Sequence, residues 1–446
     1  MVLSPLQALP EDYSLLTDLY QLTMSACYVG EGIDQRRASF ELFARRLPPD
    51  FGYLVAMGLT QAVEYLQAFV ISDRQLDQLQ ATGIFAHAPD AFWETLSNAR
   101  FTGDLWAVPE GTAIFANEPL LRVEAPLWQA QVVETYLLNT LNYQTLIATQ
   151  AARMRDIAGP DVKLLEFGTR RAFSPQGAMW AARAALAGGF DSTSNVLAAL
   201  QLGKKPTGTM AHALVMAIAA LAGDETDAFA AFHRYFPGAP LLIDTYDTVA
   251  AAHYLADQRQ QGQSGLAGVR LDSGDLVKLS RQVRELLPDV PIFASGDIDE
   301  YEIARLSQAG APISGYGLGT RLVTGTPVNG VYKLVDIDGI PVMKESANKV
   351  TYPGRKQVFR QFEAGTAAKD WLGLATESHP DAQPLLQAVM QQGKLITKLD
   401  PLSAIAQRTA QSVASLAPDV RRVQEPSSYN VNITPELDQL TQTTRQ

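Results

Sequence analysis

The chain lacks the cysteines, the excess of basic charge and the hydrophobic length that several classes of protein require. Among its 446 residues there is one cysteine, Cys27, which excludes an internal disulfide and a thiolate metal cage. Acidic residues outnumber basic residues by 47 to 36, so no broad surface would neutralise a nucleic-acid backbone. The most apolar segment, residues 211–223, is shorter than the ~20 residues of a membrane helix. The composition therefore favours small-molecule partners over nucleic acid or membrane.

The first residues also lack the pattern of a secretory signal. No cationic region precedes an apolar stretch in residues 1–16. Together with the single cysteine, this predicts a protein of the reducing cytoplasm.

A strand, loop and helix rhythm is repeated between about residues 160 and 320, as is typical of β/α units on a parallel sheet. The predicted strands are 162–167, 189–190, 207–210, 241–243, 268–271, 292–294 and 313–318, and the predicted helices include 176–187, 248–258, 276–287 and 299–308. No dinucleotide-type glycine fingerprint follows the first strand, which disfavours an open Rossmann sheet. We therefore predict an α/β fold whose residues 156–325 form an irregular, incomplete TIM-like β/α barrel.

The flanking segments mix helical and strand-like patterns, which predicts a second, discontinuous α+β domain built from residues 1–155 and 326–446. Its predicted helices are 15–29, 59–69 and 130–150, and its predicted strands are 38–43, 120–124, 331–335 and 341–344. Beyond about residue 424 the chain is polar, and we expect this tail to lie on the surface or to fray.

Polar clusters follow the predicted strands, where the loops of a barrel carry the chemistry. Arg170 and Arg171 could clamp a carboxylate or phosphate, although a pair of surface salt bridges explains them equally well. His212, before an apolar helix, is either a structural histidine or a catalytic one.

The cluster at residues 270–275 is the strongest signal. Arg270 with Asp272 and Asp275 around a Ser-Gly turn can hold an anion and a hydrated Mg²⁺ together, whereas the alternative is a turn with an Asp cap.

Two glycine-containing turns follow the last two predicted strands. Glycines let a backbone approach a phosphate closely, and the last strand loops of a barrel are its usual phosphate site. The phosphate-binding residues we expect are Ser295, Gly296, Gly317 and Gly319.

Taken in order, the motifs resemble those of the nicotinate phosphoribosyltransferase family over most of the chain. The matching segments are 16–24, 166–171, 188–191 with 194–195, 208–212, 268–275, 317–320, 331–334, 353–358 and 429–437. The resemblance implies synthesis of nicotinate mononucleotide and pyrophosphate from nicotinate and phosphoribosyl pyrophosphate in NAD biosynthesis. It also implies ATP as a co-substrate and a homodimer with composite active sites.

The resemblance further implies roles for individual residues. Those expected to bind nicotinate are Tyr20, Thr209, Arg270 and Arg171, with Tyr20 stacking on the pyridine ring. Thr320, with Gly317 and Gly319, matches the grip on the sugar 5-phosphate. His212 matches a histidine that ATP phosphorylates, and Asp272 and Asp275 would lie near Mg²⁺ and pyrophosphate, Asp272 being a catalytic residue.

Four other functions fit parts of the pattern. A nicotinamide phosphoribosyltransferase would share the fold, but Met210 follows Gly208 and Thr209 where we expect a polar surrounding in that enzyme. A quinolinate enzyme would need more cations and no phosphorylatable histidine. A non-catalytic sensor would be free to lose His212, which is present here. A sugar-phosphate aldolase would need a lysine at a strand end. Lys204 and Lys205 instead precede Pro206 in a connecting segment.

Overall fold

The structure is a computed structural model that describes residues 6, 8–262, 265–346 and 349–445. The contacts within it divide the chain into two compact units. The first comprises Met1–Leu146 with Thr326–Gln446, and the second comprises Ile147–Gly325. The predicted barrel range, 156–325, falls inside the second unit, and both predicted flanks contribute to the first.

The first described helix is a short 3₁₀ helix, Pro10–Leu15. The helices are α1 Leu19–Gly30, α2 Leu59–Ala68, α3 Asp73–Ala81, α4 Asp90–Ser97, α5 Leu127–Val132, α6 Glu134–Ala158, α7 Pro175–Ala187, α8 Val196–Gln201, α9 His212–Ala222, α10 Glu225–Tyr235, α11 Thr248–Gln260, α12 Leu276–Leu286, α13 Glu300–Gln308, α14 Thr320–Val323, α15 Leu402–Ala414 and α16 Pro435–Thr444. The strands are β1 Arg37–Ala44, β2 Leu54–Val55, β3 Asp104–Ala107, β4 Ala113–Ile114, β5 Pro119–Pro126, β6 Lys163–Glu166, β7 Ser192–Thr193, β8 Leu241–Leu242, β9 Val269–Leu271, β10 Ile292–Ser295, β11 Gly315–Leu318, β12 Gly330–Ile337, β13 Ile340–Pro341, β14 Glu345–Ser346, β15 Lys349–Val350, β16 Lys356–Glu363, β17 Thr366–Leu374, β18 Ala382–Pro384, β19 Gln387–Gln391, β20 Lys394–Leu395 and β21 Val431–Ile433.

The second unit is built on a six-stranded sheet in the order β7-β6-β11-β10-β9-β8. Every neighbouring pair in it is parallel. The connecting helices bury small and apolar residues, as α12 does with Leu276, Ser280 and Val283, which recur at helical spacing. The prediction of an α/β fold with a parallel sheet is therefore confirmed.

Two predicted strands of this unit were wrong: residues 189–190 lie just before the observed strand β7, Ser192–Thr193, and residues 207–210 form no strand. The Thr207 N–H donates to the Thr193 carbonyl at 2.9 Å, but the segment has no ladder to a second strand among the described residues. Pro206 just before it has no N–H to donate, and its glycine, Gly208, weakens a strand. As a result β7 and β8 are the two edges of the described sheet.

The first unit has an antiparallel sheet in the order β13-β12-β1-β5-β3-β19-β20 and a smaller one in the order β18-β16-β17-β21. Two ion pairs are buried in it. Lys356 Nζ lies 2.8 Å from Glu41 Oε2, and Arg360 Nη2 lies 2.6 Å from Asp370 Oδ2. Burial lowers the pKa of Lys356, and the charge of Glu41 opposes that shift. Because Glu41 and Lys356 come from opposite ends of the chain, the first pair joins the two segments of the unit.

The strand predicted at 341–344 was largely wrong, because β13 ends at Pro341 and Val342 donates a single bond back to Val335.

The polar tail was expected to lie on the surface or to fray; most of its residues are at least partly exposed, but it forms a paired strand and a helix. Strand β21 pairs in parallel with β17, and Leu437 of α16 is fully buried. The Thr434 hydroxyl accepts from the Leu437 N–H at 3.3 Å as the N-cap of α16 and donates to Glu377 at 2.9 Å. A few buried contacts therefore order a segment whose composition is polar.

We expect Thr434→Ala to lower the free energy of unfolding by ~1–2 kcal/mol, because it removes a helix cap and a buried hydrogen bond. Thr443→Ala is the matched control, since that hydroxyl is exposed and bonds only within α16. Urea unfolding measures both. Equal midpoints for the two variants would contradict the proposed order of the tail.

Candidate active site

The parallel sheet delivers the loops after β6, β9, β10 and β11 to one edge, where they enclose a cavity of ≈ 370 Å³. Polar and charged residues dominate its wall. The lining residues are Phe167, Arg170, Arg171, Arg270, Asp272, Ser295, Gly296, Asp297, Gly317, Gly319 and Thr320. The sequence had singled out most of these separately, and the structure brings them together.

The glycines of this cavity are placed where a side chain would collide with the backbone or with Phe167. Gly296 has a φ of +97°, and a Cβ there would lie 2.2 Å from the Asp272 carbonyl oxygen. A Cβ on Gly317 would lie 2.6 Å from the Phe167 ring. Without side chains, these loops can pack closely and expose backbone to a ligand.

Arg270 presents a partly satisfied guanidinium to the site. Its Nη1 donates to Thr209 Oγ1 at 2.7 Å, while its buried Nε has no hydrogen-bond partner among the described residues. Burial lowers the pKa of Arg270, and the charges of Asp272 and Asp244 oppose that shift. An arginine keeps its charge in such a site, so a buried donor without an acceptor indicates a place for an anionic ligand.

Exposed Arg170 and Arg171 have no salt bridge within the described part of the chain, which removes the surface-pair alternative. Their loop is held by Glu166 at the end of β6, a buried carboxylate that accepts from the Gly168 N–H and the Thr193 hydroxyl. Burial raises the pKa of Glu166, and these two hydrogen bonds oppose the shift.

His212 is the first residue of α9, so its ring lies at the positive end of a helix. Its Nδ1 lies 3.1 Å from Thr245 Oγ1. On the other side of the ring, Nε2 lies 3.9 Å from Asp272 Oδ2 and 4.0 Å from Asp244 Oδ1. Since Thr245 occupies Nδ1, Nε2 is the nitrogen left for chemistry.

Asp272 links the histidine to the loop after β10. Its Oδ1 accepts from the Ser295 hydroxyl at 2.5 Å, and its Oδ2 faces His212. Asp244 Oδ2 accepts from the Asp272 N–H at 2.7 Å and from the Ser273 hydroxyl at 2.9 Å. His212 and Arg270 therefore open onto the same region, joined through Asp272 and Asp244.

Sequence reasoning gave Asp244 and Thr245 no role. The available signal was their position, since both follow a strand that belongs to the same parallel sheet.

Asp275 does not join this group. Its Oδ1 accepts from the Val277 and Lys278 N–H groups, each at 3.1 Å, as the N-cap of α12. The structure therefore favours the cap alternative for Asp275. Within the described residues, no cluster of three or more His, Cys, Asp or Glu side chains could hold a metal.

Tyr20 lies in the first unit, on α1, with 47% of its surface exposed. The same unit holds cations that sequence reasoning missed. Burial is the largest cause that lowers the pKa of Lys333. The charge of Glu134 opposes this shift, and the like charges of nearby Arg45 and Lys344 add to it. The Arg45 Nε is buried without a hydrogen-bond partner among the described residues.

Family models match three successive parts of the chain. Residues 15–142 match the N-terminal domain of nicotinate phosphoribosyltransferase, residues 162–299 match the nicotinate phosphoribosyltransferase family and residues 379–441 match its C-terminal domain. The chain belongs to the nicotinate phosphoribosyltransferase family. It is thus an enzyme of pyridine nucleotide biosynthesis, and the family resemblance of its motifs is confirmed.

Relatives from bacteria and animals agree over nearly the whole chain. A nicotinate phosphoribosyltransferase of Mycobacterium tuberculosis is 40% identical over 95% of this chain and 92% of its own length. The Bacillus subtilis enzyme is 39% identical, with 95% and 93% covered. The Homo sapiens enzyme is 34% identical, with 96% and 95% covered.

Solved structures show the same fold. The crystal structure of human nicotinic acid phosphoribosyltransferase matches with a TM-score of 0.84 and 32% identity, covering 96% of this chain and 99% of that chain. A nicotinate-nucleotide pyrophosphorylase from Pyrococcus furiosus shares the fold with a TM-score of 0.76, at 24% identity over 93% and 99% of the two chains. None of the described helices combines the length and apolarity needed to cross a bilayer.

We expect Gly296→Ala to lower kcat/KM by at least ~100-fold. The new Cβ would push the loop away from Asp272. A displacement of about 1 Å in an active site reduces the rate by about that factor. Gly310→Ala is the matched control, since it also has a positive φ but has open space around it. Steady-state kinetics compare the two. Comparable losses would mean that backbone strain, and not crowding of the loop, is responsible.

Proposed function

We propose that this enzyme joins nicotinate to phosphoribosyl pyrophosphate in the cavity at the strand ends of the second unit. The observation that carries the proposal is that Asp272 lies beside His212 and interacts with the charge of Arg270, which itself donates to Thr209. In this proposal Arg270, Thr209 and Arg171 hold the nicotinate carboxylate. The sugar phosphates lie against the loops of Ser295 with Gly296 and of Gly317, Gly319 and Thr320.

The chemistry required is the transfer of the ribose C1 from pyrophosphate to nitrogen. The pyridine nitrogen forms the new bond to C1, and the C1–O bond breaks with its electron pair leaving on pyrophosphate. Positive charge develops on the sugar as this bond breaks, so the enzyme must hold the ring in line and stabilise the departing anion. Arg170 of the cavity wall, which forms no salt bridge among the described residues, would supply part of that stabilisation.

Selectivity for the acid follows from charge. A carboxylate gains a charge-assisted hydrogen bond from Arg270 that a neutral amide does not, worth ~1.5–3 kcal/mol. The same argument supports nicotinate over nicotinamide as the substrate.

We expect Arg270→Ala to raise the KM for nicotinate by about 10–100-fold, the equivalent of that energy, while the low turnover of nicotinamide changes little. Arg305→Ala, an exposed arginine paired with Glu302 on α13, is the control. Initial rates with both pyridines measure the effect. Preference for nicotinamide in the native enzyme would overturn the substrate assignment.

ATP is the proposed co-substrate, with His212 as its phosphoryl acceptor. The His212 Nε2 lone pair attacks the γ-phosphorus, the bond from that phosphorus to the ADP oxygen breaks, and water later hydrolyses the N–P bond. The helix N-terminus favours a negative phosphoryl group, and Thr245 fixes the ring. Coupling these steps to a state that binds phosphoribosyl pyrophosphate better would drive synthesis forward.

Mg²⁺ fits the carboxylates beside His212. Magnesium usually keeps several waters and takes one or two carboxylates together with substrate phosphates. Asp272 Oδ2 and Asp244 Oδ1 both face Nε2, and buried Asp244 Oδ1 has no hydrogen-bond partner among the described residues. These two would hold the ion, whereas Asp275 caps α12 through its Oδ1. When bound, Mg²⁺ supplies positive charge to phosphate groups that would otherwise face two carboxylates.

We expect γ-labelled ATP with Mg²⁺ to label the native enzyme and to leave His212→Ala unlabelled, with loss of the ATP stimulation of turnover. His253→Ala, an exposed histidine on α11, is the control and should label normally. Acid-labile, alkali-stable label on the intact protein is the readout. Labelling of His212→Ala, or none in the native enzyme, would overturn the phosphohistidine.

A homodimer with composite sites completes the proposal. Exposed apolar residues support it, since Val196, Leu197 and Leu200 of α8 are each more than half exposed. Tyr20 and the cations Arg45, Lys333 and Lys344 of the first unit would serve the site of a second copy. We further propose that the parallel sheet is an incomplete TIM-like barrel, open where residues 207–210 form no strand.

A further inference from the structure

A second cavity, of ≈ 480 Å³, lies entirely within the first unit. Its walls come from β3, β16, β18, β19 and α15 together with the loop before α15. None of its lining residues belongs to the catalytic cavity. The volume falls within the ~300–1,000 Å³ of small-molecule sites.

Arg360 forms the charged floor of this cavity, although only 2% of its surface is exposed. Its Nε and Nη2 donate to Asp370 at 2.9 and 2.6 Å, and its guanidinium lies 5.4 Å from the centre of the Phe115 ring. The remaining terminal nitrogen, Nη1, has no acceptor among the described residues. Because buried guanidinium donors are normally paired, this nitrogen indicates where an acceptor of a ligand would lie.

Asp370 is the acidic residue that accepts hydrogen bonds from Arg360, and it accepts them from Nε and Nη2. Burial, and then the charge of Asp370, raise the pKa of Glu118 well above its usual range. Glu110 uses its Oε1 for the Gly58 N–H at 2.7 Å and its Oε2 for the Thr60 hydroxyl at 3.0 Å. Because Arg360 lines the cavity, its remaining terminal nitrogen is available to a ligand there.

The rim of the cavity adds positive charge. Arg408 pairs with Asp400 at 2.6 Å and donates to the Glu110 carbonyl at 2.7 Å. Lys398 is exposed and forms no ion pair within the described residues. With Arg408 balanced by Asp400, Lys398 and Arg360 are the cations available to an anionic group.

Part of the cavity lining is apolar. Phe362 lines the cavity from the same strand as Arg360, and 43% of its surface is exposed. Leu385 and Val389 are buried beside it. An exposed aromatic face next to a cationic floor suits a flat ring that carries a negative group.

We propose that this cavity is a second ligand site, which binds an anionic aromatic metabolite of mononucleotide size. The phosphate or carboxylate group of the ligand accepts hydrogen bonds from Arg360 Nη1 and Lys398, and its ring stacks on Phe362. The site does not depend on the assignment of the catalytic residues, because it shares none of them.

The test uses adenosine monophosphate as the probe and the full chain, with the catalytic cavity saturated by phosphoribosyl pyrophosphate. Equilibrium dialysis should find one bound nucleotide per chain. Adenosine, which lacks the phosphate, and ribose 5-phosphate, which lacks the ring, should each bind at least about tenfold more weakly, because each loses one of the two interactions.

Three variants locate the binding. Phe362→Ala should weaken it about tenfold through loss of stacking, and Lys398→Ala by up to about fivefold, as expected for an exposed charge. Gln411→Trp, which fills the cavity from α15, should abolish it. Lys394→Ala is the matched control, since this exposed lysine on β20 does not line the cavity.

Turnover of nicotinate, measured in the same variants, separates this proposal from the catalytic one. Full binding of the nucleotide to Phe362→Ala and Gln411→Trp, or no binding to the native chain at millimolar concentration, would overturn the second site. Loss of turnover in Arg270→Ala with nucleotide binding retained would support both assignments.

Discussion

The catalytic site depends on the parallel register of β9, β10 and β11. In that register Arg270 lies beside Phe293, and Ser295 lies beside Gly317. One residue beyond the end of β9, Asp272 therefore reaches the Ser295 hydroxyl, and Gly296 packs against the Asp272 backbone. A shift of a single residue would reverse the faces of these side chains and separate the carboxylate from the histidine.

Charge organises this site more than apolar burial does. A chain with an overall excess of acid concentrates Arg170, Arg171 and Arg270 around one cavity, and it leaves donors there without protein acceptors. Few acidic groups line the cavity beside these arginines, and one of them, Asp272, accepts a hydrogen bond from Ser295. An anionic substrate thus meets local positive charge in a protein whose net charge would otherwise repel it.

The first unit uses buried charge for a different end. The Lys356–Glu41 pair joins strands from distant parts of the chain, whereas the Arg360–Asp370 pair joins the neighbouring strands β16 and β17. Truncating one partner of such a pair costs about 3–5 kcal/mol. The Arg360 pair leaves one nitrogen open to a cavity, so a group that stabilises the fold is also available to a ligand. The same residue can serve both because a guanidinium has more donors than one carboxylate can accept.

Local pattern was sufficient to predict several of the helices, most strands of the parallel sheet and the strand ends that carry Arg270, Asp272, Ser295 and Gly317, because periodicity and turn residues act over a few positions. Only the tertiary structure decided that Asp244 and Thr245 face His212, that Asp275 caps a helix, that residues 207–210 form no strand, and that the polar tail is ordered. Most of those outcomes depend on contacts between residues some thirty or more positions apart, and that of Asp275 depends on whether one carboxylate caps a helix or binds a ligand. Neither cause produces a periodic pattern in the sequence. The cavity beside Arg360 is of the same kind, since its walls come from segments that only the folded chain brings together.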